Sequence, residues 1–320
     1  MPTPLSCPKK PNTKIRRVAI LFSGGPAPAA NAVISSAVSC FSRAGIEVLG
    51  LQNGYTHLMS YEPGKTLAEG TAYVKLDHRD MEGKRTTRGI MIGTARANPG
   101  KLLKDPKDLN NPEKTAPLQT VYDALCSLDV DALISIGGDD TLTTAAKFRL
   151  FQDQLPAGSR RIRVVHLPKT IDNDYQGIDF TFGYFTAVDL LAKQLGNLLA
   201  DSMATGACFV AQLMGRQAGW LAYGAAIAGE ASLVIGLEDI PDEWRTKEPT
   251  VDPTSGEEII DEKTGKTLMR DIFDVKAIVN RIVDTLVARE EEGKSYAVIV
   301  MAEGIGEYLP LAEIRKCLSE

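Results

Sequence analysis

Two hydrophobic rhythms alternate along the chain. Val18–Phe22 is a short unbroken apolar run that ends at Ser23-Gly24-Gly25, and Ile46–Leu51 is a second run, stopped by Asn53-Gly54. Between them Ala30, Val33, Ile34, Ala37, Val38 and Phe41 recur at steps of three and one, which is one face of a helix entered after Pro28 and left at Gly45. The predicted unit is strand, glycine turn, helix, strand. It recurs: Leu118, Val121, Leu125 and Leu128 mark a helix, Ala132–Ile136 a strand ending in Gly137-Gly138-Asp139-Asp140, and residues 142–151 a helix. Ile162–Leu167 then reads as a strand that runs into Pro168-Lys169-Thr170-Ile171-Asp172-Asn173-Asp174, and Val188, Leu191, Leu195 and Leu198 give a long helix one apolar face. Strands at about 208–213, 233–239 and 296–301 alternate with helices at about 218–228 and 274–290.

Strands alternating with helices predict an α/β protein: two Rossmann-like lobes whose mainly parallel sheets are covered by helices. The division is expected near Gly183, giving lobes 18–183 and 184–320 behind a leader at 1–17, which holds five basic residues and no acidic one. The stretch 242–271 breaks the rhythm. It is polar, with turn signals at Ser255-Gly256 and Thr264-Gly265-Lys266, and predicts an inserted loop or exposed hairpin. No short-period repeat is evident.

Composition narrows the class. With 320 residues, 44% hydrophobic and 24% charged, the chain has material for one large or two medium cores, which excludes disorder and disulfide-dense scaffolds. A net charge of −5 gives no global basic footprint for nucleic acid, and no apolar run of about 18 residues is present to span a membrane. The five cysteines are at 7, 40, 126, 208 and 317, an odd and scattered set that fits reduced thiols in a cytoplasm. His57, His78 and His166 form no metal-ligand spacing, so a structural metal is not expected.

The chemistry-bearing residues sit at predicted strand ends, where open parallel sheets bind ligands. Gly24 and Gly25 precede a helix, so backbone N–H groups there can receive phosphate; a plain tight turn reads equally well. Asp139 and Asp140 put two adjacent carboxylates after two glycines, an arrangement that suits a Mg²⁺ held by carboxylate, water and phosphate, or else a helix cap. Asp172 and Asp174, two apart, project to one side of an extended backbone, as base and as orienter or metal-side anion; an Asx-rich turn is the bland alternative. Lys169 and Arg96 supply cations for phosphoryl oxygens. Met214-Gly215-Arg216 and Ala302-Glu303-Gly304 end two further strands, and alone they fit a buried Met beside a close-packing Gly and a helix-capping Glu.

Taken together, Ser23–Pro28, Gly137–Leu142, Pro168–Asp174, Gly183–Ala187, Met214–Arg216 and Ala302–Gly304 resemble the phosphofructokinase family in order and spacing, from about Val18 to Glu303. The resemblance implies that Asp172 takes the proton from the 1-hydroxyl of fructose 6-phosphate and that Asp139 sits at the Mg²⁺. It implies that Thr170, Asp174, Met214, Gly215, Arg216 and Glu303 line the sugar-phosphate site, and that Gly24, Gly25 and Arg96 face the phosphoryl donor. Members that use ATP typically carry Gly at the position of Asp140 and often at that of Lys169. The pyrophosphate-using branch resembles this chain at both, so pyrophosphate is the expected donor. The resemblance further implies a cytoplasmic homodimer or homotetramer in glycolysis or gluconeogenesis.

Three departures accompany it. Ala29 stands where the first loop usually has Gly, and the Thr205–Gln212 stretch lacks the basic residues relatives often place there. The sequence has no equivalent of the family's further motif, with Arg and in many a His, beyond Glu303. Missing strands and helices would leave apolar surface uncovered and an edge unpaired, which predicts association or reduced stability. Alternatives are an ATP-dependent 6-phosphofructokinase, a non-catalytic or truncated member of the family, and a distant NAD or lipid kinase sharing only the Gly-Gly-Asp element.

Overall fold

The computed structural model describes residues 14–319 apart from 253, 262 and 263. The expected leader falls largely outside them, as does Cys7; from Arg17 the chain is already strand. Two compact units form. One holds the residues up to Thr170 together with Thr181–Gly183, the other Ile171–Phe180 together with Tyr184 onwards.

In the first unit the elements follow in the order β1 (Arg17–Ser23), α1 (Ala30–Arg43), β2 (Glu47–Leu51), α2 (Thr56–Met59), β3 (Tyr73–Leu76), α3 (Pro112–Ser127), β4 (Ala132–Gly137), α4 (Asp139–Asp153), β5 (Arg163–Thr170) and β6 (Phe182–Gly183). They build one sheet in the order β3-β2-β1-β4-β5-β6, parallel except for β3. Both faces of β1 are buried, which is why it reads as a continuous apolar run instead of an alternating one. Side chains alternate across the pleat: Ala19, Leu21 and Leu133 pack against Leu118, Val121, Leu125 and Phe148, whereas Val18, Ile20, Phe22, Ile134 and Ile136 pack against Ile34 and Val38. The strand β5 continues three residues past the predicted end at Leu167, so Lys169 and Thr170 lie on its last turn of pleat.

Helix α1 begins on a strained residue. Ala29 is its N-cap at φ 64°, ψ 7°, left-handed backbone that costs an L-residue about 1–2 kcal/mol. Ala29→Gly relieves that strain and returns about 0.5–1 kcal/mol of it as extra chain entropy in the unfolded state. The expected net gain is roughly 0.5–1 kcal/mol, read as a higher urea midpoint for the first unit. A lower midpoint would show that the left-handed turn carries no strain.

The second unit contains α5 (Tyr184–Thr205), β7 (Cys208–Leu213), α6 (Trp220–Ala228), β8 (Leu233–Ile235), β9 (Arg245–Pro249), β10 (Met269–Phe273), α7 (Val275–Glu291), β11 (Ala297–Ala302) and α8 (Leu311–Ser319). Its sheet is parallel, in the order β7-β11-β8, and the predicted strand at 233–239 stops at Ile235 because Leu237–Asp239 turns into a short 3-10 helix. Central β11 is buried and packs on α5 and α6 through Val298, Val300, Leu195 and Ala225. The edge strand β7 leaves Val210 at 56% exposure, and on α7 Val279, Val283 and Val287 recur every four residues at 47–50% exposure.

The polar stretch forms the β9–β10 antiparallel hairpin, extended by bridges between Val251 and Glu258 and between Ile260 and Thr267. The turns Asp252–Glu257 and Asp261–Lys266, nine residues apart, close alike: Asp252 N bonds Glu257 O and Asp261 N bonds Lys266 O, with Gly256 N and Gly265 N returning to the two Asp carbonyls. Among the described residues no helix is long and apolar enough to cross a membrane.

Candidate active site

The sheet of the first unit reverses direction of growth between β1 and β4: the chain builds outward through β2 on one side, then crosses to β4 on the other. The crevice beyond the carboxyl ends of two such strands is where open α/β sheets receive ligands. Gly24 and Gly25 follow β1, and Gly138, Asp139 and Asp140 follow β4. These ends fit tightly. A Cβ on Gly137 would meet Ser23 O at 2.6 Å and the Thr141 side chain at 2.5 Å, so glycine is required for β1, β4 and the start of α4 to close together.

A third segment is clasped to this edge. Gly24 N (3.0 Å) and Ser23 Oγ (3.1 Å) both donate to Ala95 O, and Thr94 Oγ1 donates to Gly24 O at 2.7 Å. Arg96, exposed, is the next residue. Upstream, Asn31 on α1 holds the same segment from below, its Nδ2 donating to Thr87 Oγ1 (2.9 Å) and its Oδ1 accepting from Met91 N (2.8 Å), with the side chain buried. From the far end of β5, Lys169 Nζ donates to Gly25 O at 3.1 Å. Gly24, Gly25 and Lys169 are thus brought together, with Arg96 one residue beyond the clasped Ala95. Thr94 and Asn31 carry no signal in the sequence, because their meaning depends on contacts across 56–70 residues.

Asp139 and Asp140 occupy the first turn of α4, both exposed. The capping alternative does not hold: the N-cap is Gly138, with no side-chain cap bond, and neither carboxylate accepts a hydrogen bond among the described residues. The positive end of the helix dipole favours both anions there. Two free carboxylates suit a magnesium ion. Among the described residues no three His, Cys, Asp or Glu side chains cluster to cage one, so its other positions would belong to water and phosphate oxygens. Behind β4, His166 Nδ1 lies 3.3 Å from Ser135 Oγ, and burial holds its imidazole below the usual range and therefore neutral near pH 7.

In the second unit, β7 and β11 are neighbours and end together, Leu213 opposite Ala302. Met214, Gly215 and Arg216 follow the one, Glu303 the other. Gly215 N donates to Glu303 Oε1 (3.2 Å) and Gly304 N to Gly215 O (3.1 Å), so the two predicted motifs are physically joined. Glu303 caps no helix and Met214 is 56% exposed, so those parts of the bland readings fail, while Gly215 is close-packed as that reading has it: a Cβ there would meet Ala218 O at 2.5 Å. Glu238, unremarked in the sequence, accepts from Gly219 N at 3.0 Å and secures the far side of the same loop.

Asp172 and Asp174 lie half-buried in the segment Ile171–Phe180. The expectation that they share one side of an extended strand fails: Asn173 between them is left-handed at φ 57°, and its Nδ2 donates to Asp179 O at 3.1 Å. Asparagine tolerates that conformation and folds the segment back on itself.

Residues 17–249 match the family model described as phosphofructokinase. The chain belongs to the phosphofructokinase family. It is 31% identical over 92% of its length to the ATP-dependent 6-phosphofructokinase of Spirochaeta thermophila, and 33% identical over 93% to the pyrophosphate–fructose 6-phosphate 1-phosphotransferase of Thermotoga maritima. It spans 65% and 64% of those two proteins. Its fold is similar to that of phosphofructokinase from Saccharomyces cerevisiae, with TM-score 0.67 and 23% identity, over 95% of this chain and 36% of that one.

Proposed function

We propose that this phosphofructokinase-family chain transfers a phosphoryl group from inorganic pyrophosphate to the 1-hydroxyl of fructose 6-phosphate, giving fructose 1,6-bisphosphate and phosphate. The observation that carries the choice of donor is the exposed, uncapped Asp140 carboxylate beside Asp139, with Lys169 standing over Gly25. A carboxylate in that place repels the extra charge of a nucleotide, while the ammonium favours a compact, highly anionic donor. Relatives with either donor are comparably similar to the chain, so the argument rests on these residues.

In this reading Gly24, Gly25, Arg96 and Lys169 bind the donor, and Lys169 and Arg96 stabilise charge on the moving phosphoryl group. Asp172 removes the proton of the sugar hydroxyl. Thr170, Asp174, Met214, Gly215, Arg216 and Glu303 hold the sugar phosphate. Asp139, with Asp140 beside it, would hold a magnesium ion, which when bound neutralises charge on the transferring phosphate. A cytoplasmic homodimer or homotetramer accompanies this reading.

The test is a coupled assay on the purified chain with each donor in turn. Turnover with pyrophosphate at least tenfold above that with ATP is expected. The reverse order would make the chain an ATP-dependent 6-phosphofructokinase, and fructose 6-phosphate binding without turnover would make it a non-catalytic member of the family.

A further inference from the structure

The peptide joining Gly24 to Gly25 presents an unusual mechanical problem. Both residues lack a Cβ, and Gly24 sits at φ 94°. A peptide flanked by two glycines can turn over about its own axis with little steric cost, because glycine occupies both halves of the conformational map. In a trans peptide the C=O and the following N–H point in opposite directions, so a turn-over reverses which of them faces a ligand. One face binds anions and the other repels them.

Thr94 decides which. Its hydroxyl donates to Gly24 O at 2.7 Å, a short bond from the segment that is itself tied to Ser23 and Gly24 through Ala95 O. With the Gly24 carbonyl held toward Thr94, the Gly25 N–H is directed the other way. Among the described residues no group accepts from that N–H. The next carbonyl, Gly25 O, accepts from Lys169 Nζ, so both carbonyls of the turn have donors of their own.

We propose that Thr94 is a positioning residue, whose hydroxyl locks the Gly24–Gly25 peptide so that the Gly25 N–H serves as a phosphate-binding donor. The inference rests on the donor-site reading given above. Thr94 touches no reacting atom; it acts through the backbone it holds.

Two substitutions test it. Thr94→Val keeps the shape and removes the hydroxyl; Thr94→Ser keeps the hydroxyl. For Thr94→Val the KM and the calorimetric Kd for pyrophosphate are expected to rise about tenfold, the loss of one well-formed hydrogen bond, while the KM for fructose 6-phosphate stays within about twofold. Thr94→Ser should restore wild-type donor affinity to within about twofold. A general packing defect predicts something else: Ser as impaired as Val, or both substrates weakened alike, and either result overturns the proposal. A crystal structure of Thr94→Val supplies a readout that does not depend on the reaction. The Gly24 carbonyl turned away from residue 94 is expected; an unturned carbonyl overturns the lock whatever the donor proves to be. If the peptide turns but the wild-type chain does not bind pyrophosphate, the donor assignment fails and the lock stands.

Discussion

Asp172→Ala is expected to lower kcat with pyrophosphate by about a thousandfold, within the 10²–10⁴ range for loss of a general base, and to change the KM for fructose 6-phosphate by less than about threefold. The separation of the two constants follows from where the groups lie. Four of the six residues proposed to hold the sugar phosphate, Met214, Gly215, Arg216 and Glu303, lie at the ends of β7 and β11, where Gly215 is bonded to Glu303 and Gly304; Thr170 and Asp174 flank Asp172. Asp172 belongs to another segment, shaped by the left-handed Asn173 and its bond to Asp179 O. Truncating it removes an acceptor of the sugar proton and leaves the four residues at the ends of β7 and β11 untouched, so most of the sugar-phosphate contacts remain. Asp172→Asn sharpens the test, since the amide keeps the shape and a hydrogen-bonding oxygen but cannot take a proton at neutral pH. Both variants should lose kcat alike. Full turnover in either would remove Asp172 from the base role, and a raised KM with kcat unchanged would make it a binding residue only.

How much of this was legible in the sequence depends on what kind of interaction carries the meaning. Strands β1, β4 and β11 are buried on both faces, and a doubly buried strand announces itself as an apolar run. Strand β3 was not foreseen: it is four residues long, half-buried, and defined by antiparallel pairing with β2 some 25 residues away. The start of α4 was also hidden. Asp139, Asp140 and Thr141 carry no apolar periodicity, and what fixes them is the fit of Gly137 against Ser23 and Thr141. The placement of Gly24, Met214 and Glu303 at strand ends could be read from motif order, because glycine marks the ends of those parallel strands; Lys169, in a segment without glycine, lies on a strand that runs past its predicted end. Thr94, Asn31 and Glu238 could not, because each is an ordinary polar residue until the fold brings a distant backbone group to it. The same limit explains the failure of the Asp172–Asp174 geometry, where spacing was read as extended backbone and a single left-handed residue undid it.

The second large effect concerns the donor. Asp140→Gly combined with Lys169→Gly is expected to raise kcat/KM for ATP by one to two orders of magnitude and to lower that for pyrophosphate by at least as much. Two unit charges 4 Å apart repel by about 1 kcal/mol in water and about 4 kcal/mol at an effective dielectric of 20, and each 1.4 kcal/mol is tenfold. Asp140 is exposed, so the expected gain lies between these limits and shrinks as salt is added. Lys169 contributes in the opposite sense. Its ammonium donates to Gly25 O, and removing it takes a positive charge from the proposed donor site and frees a carbonyl beside the N–H proposed to bind phosphate. Glycine at position 140 also weakens the first turn of α4, by a few tenths of a kcal/mol of helix propensity and a few tenths of lost dipole interaction, so stability has to be measured alongside. Asp140→Asn separates charge from bulk. If Asn releases ATP use as Gly does, repulsion excludes the nucleotide; if only Gly does, the side chain's volume excludes it. If neither single variant nor the double shifts the ratio of the two donors, the charges at 140 and 169 do not choose between them, and the pyrophosphate reading loses the observation on which it stands.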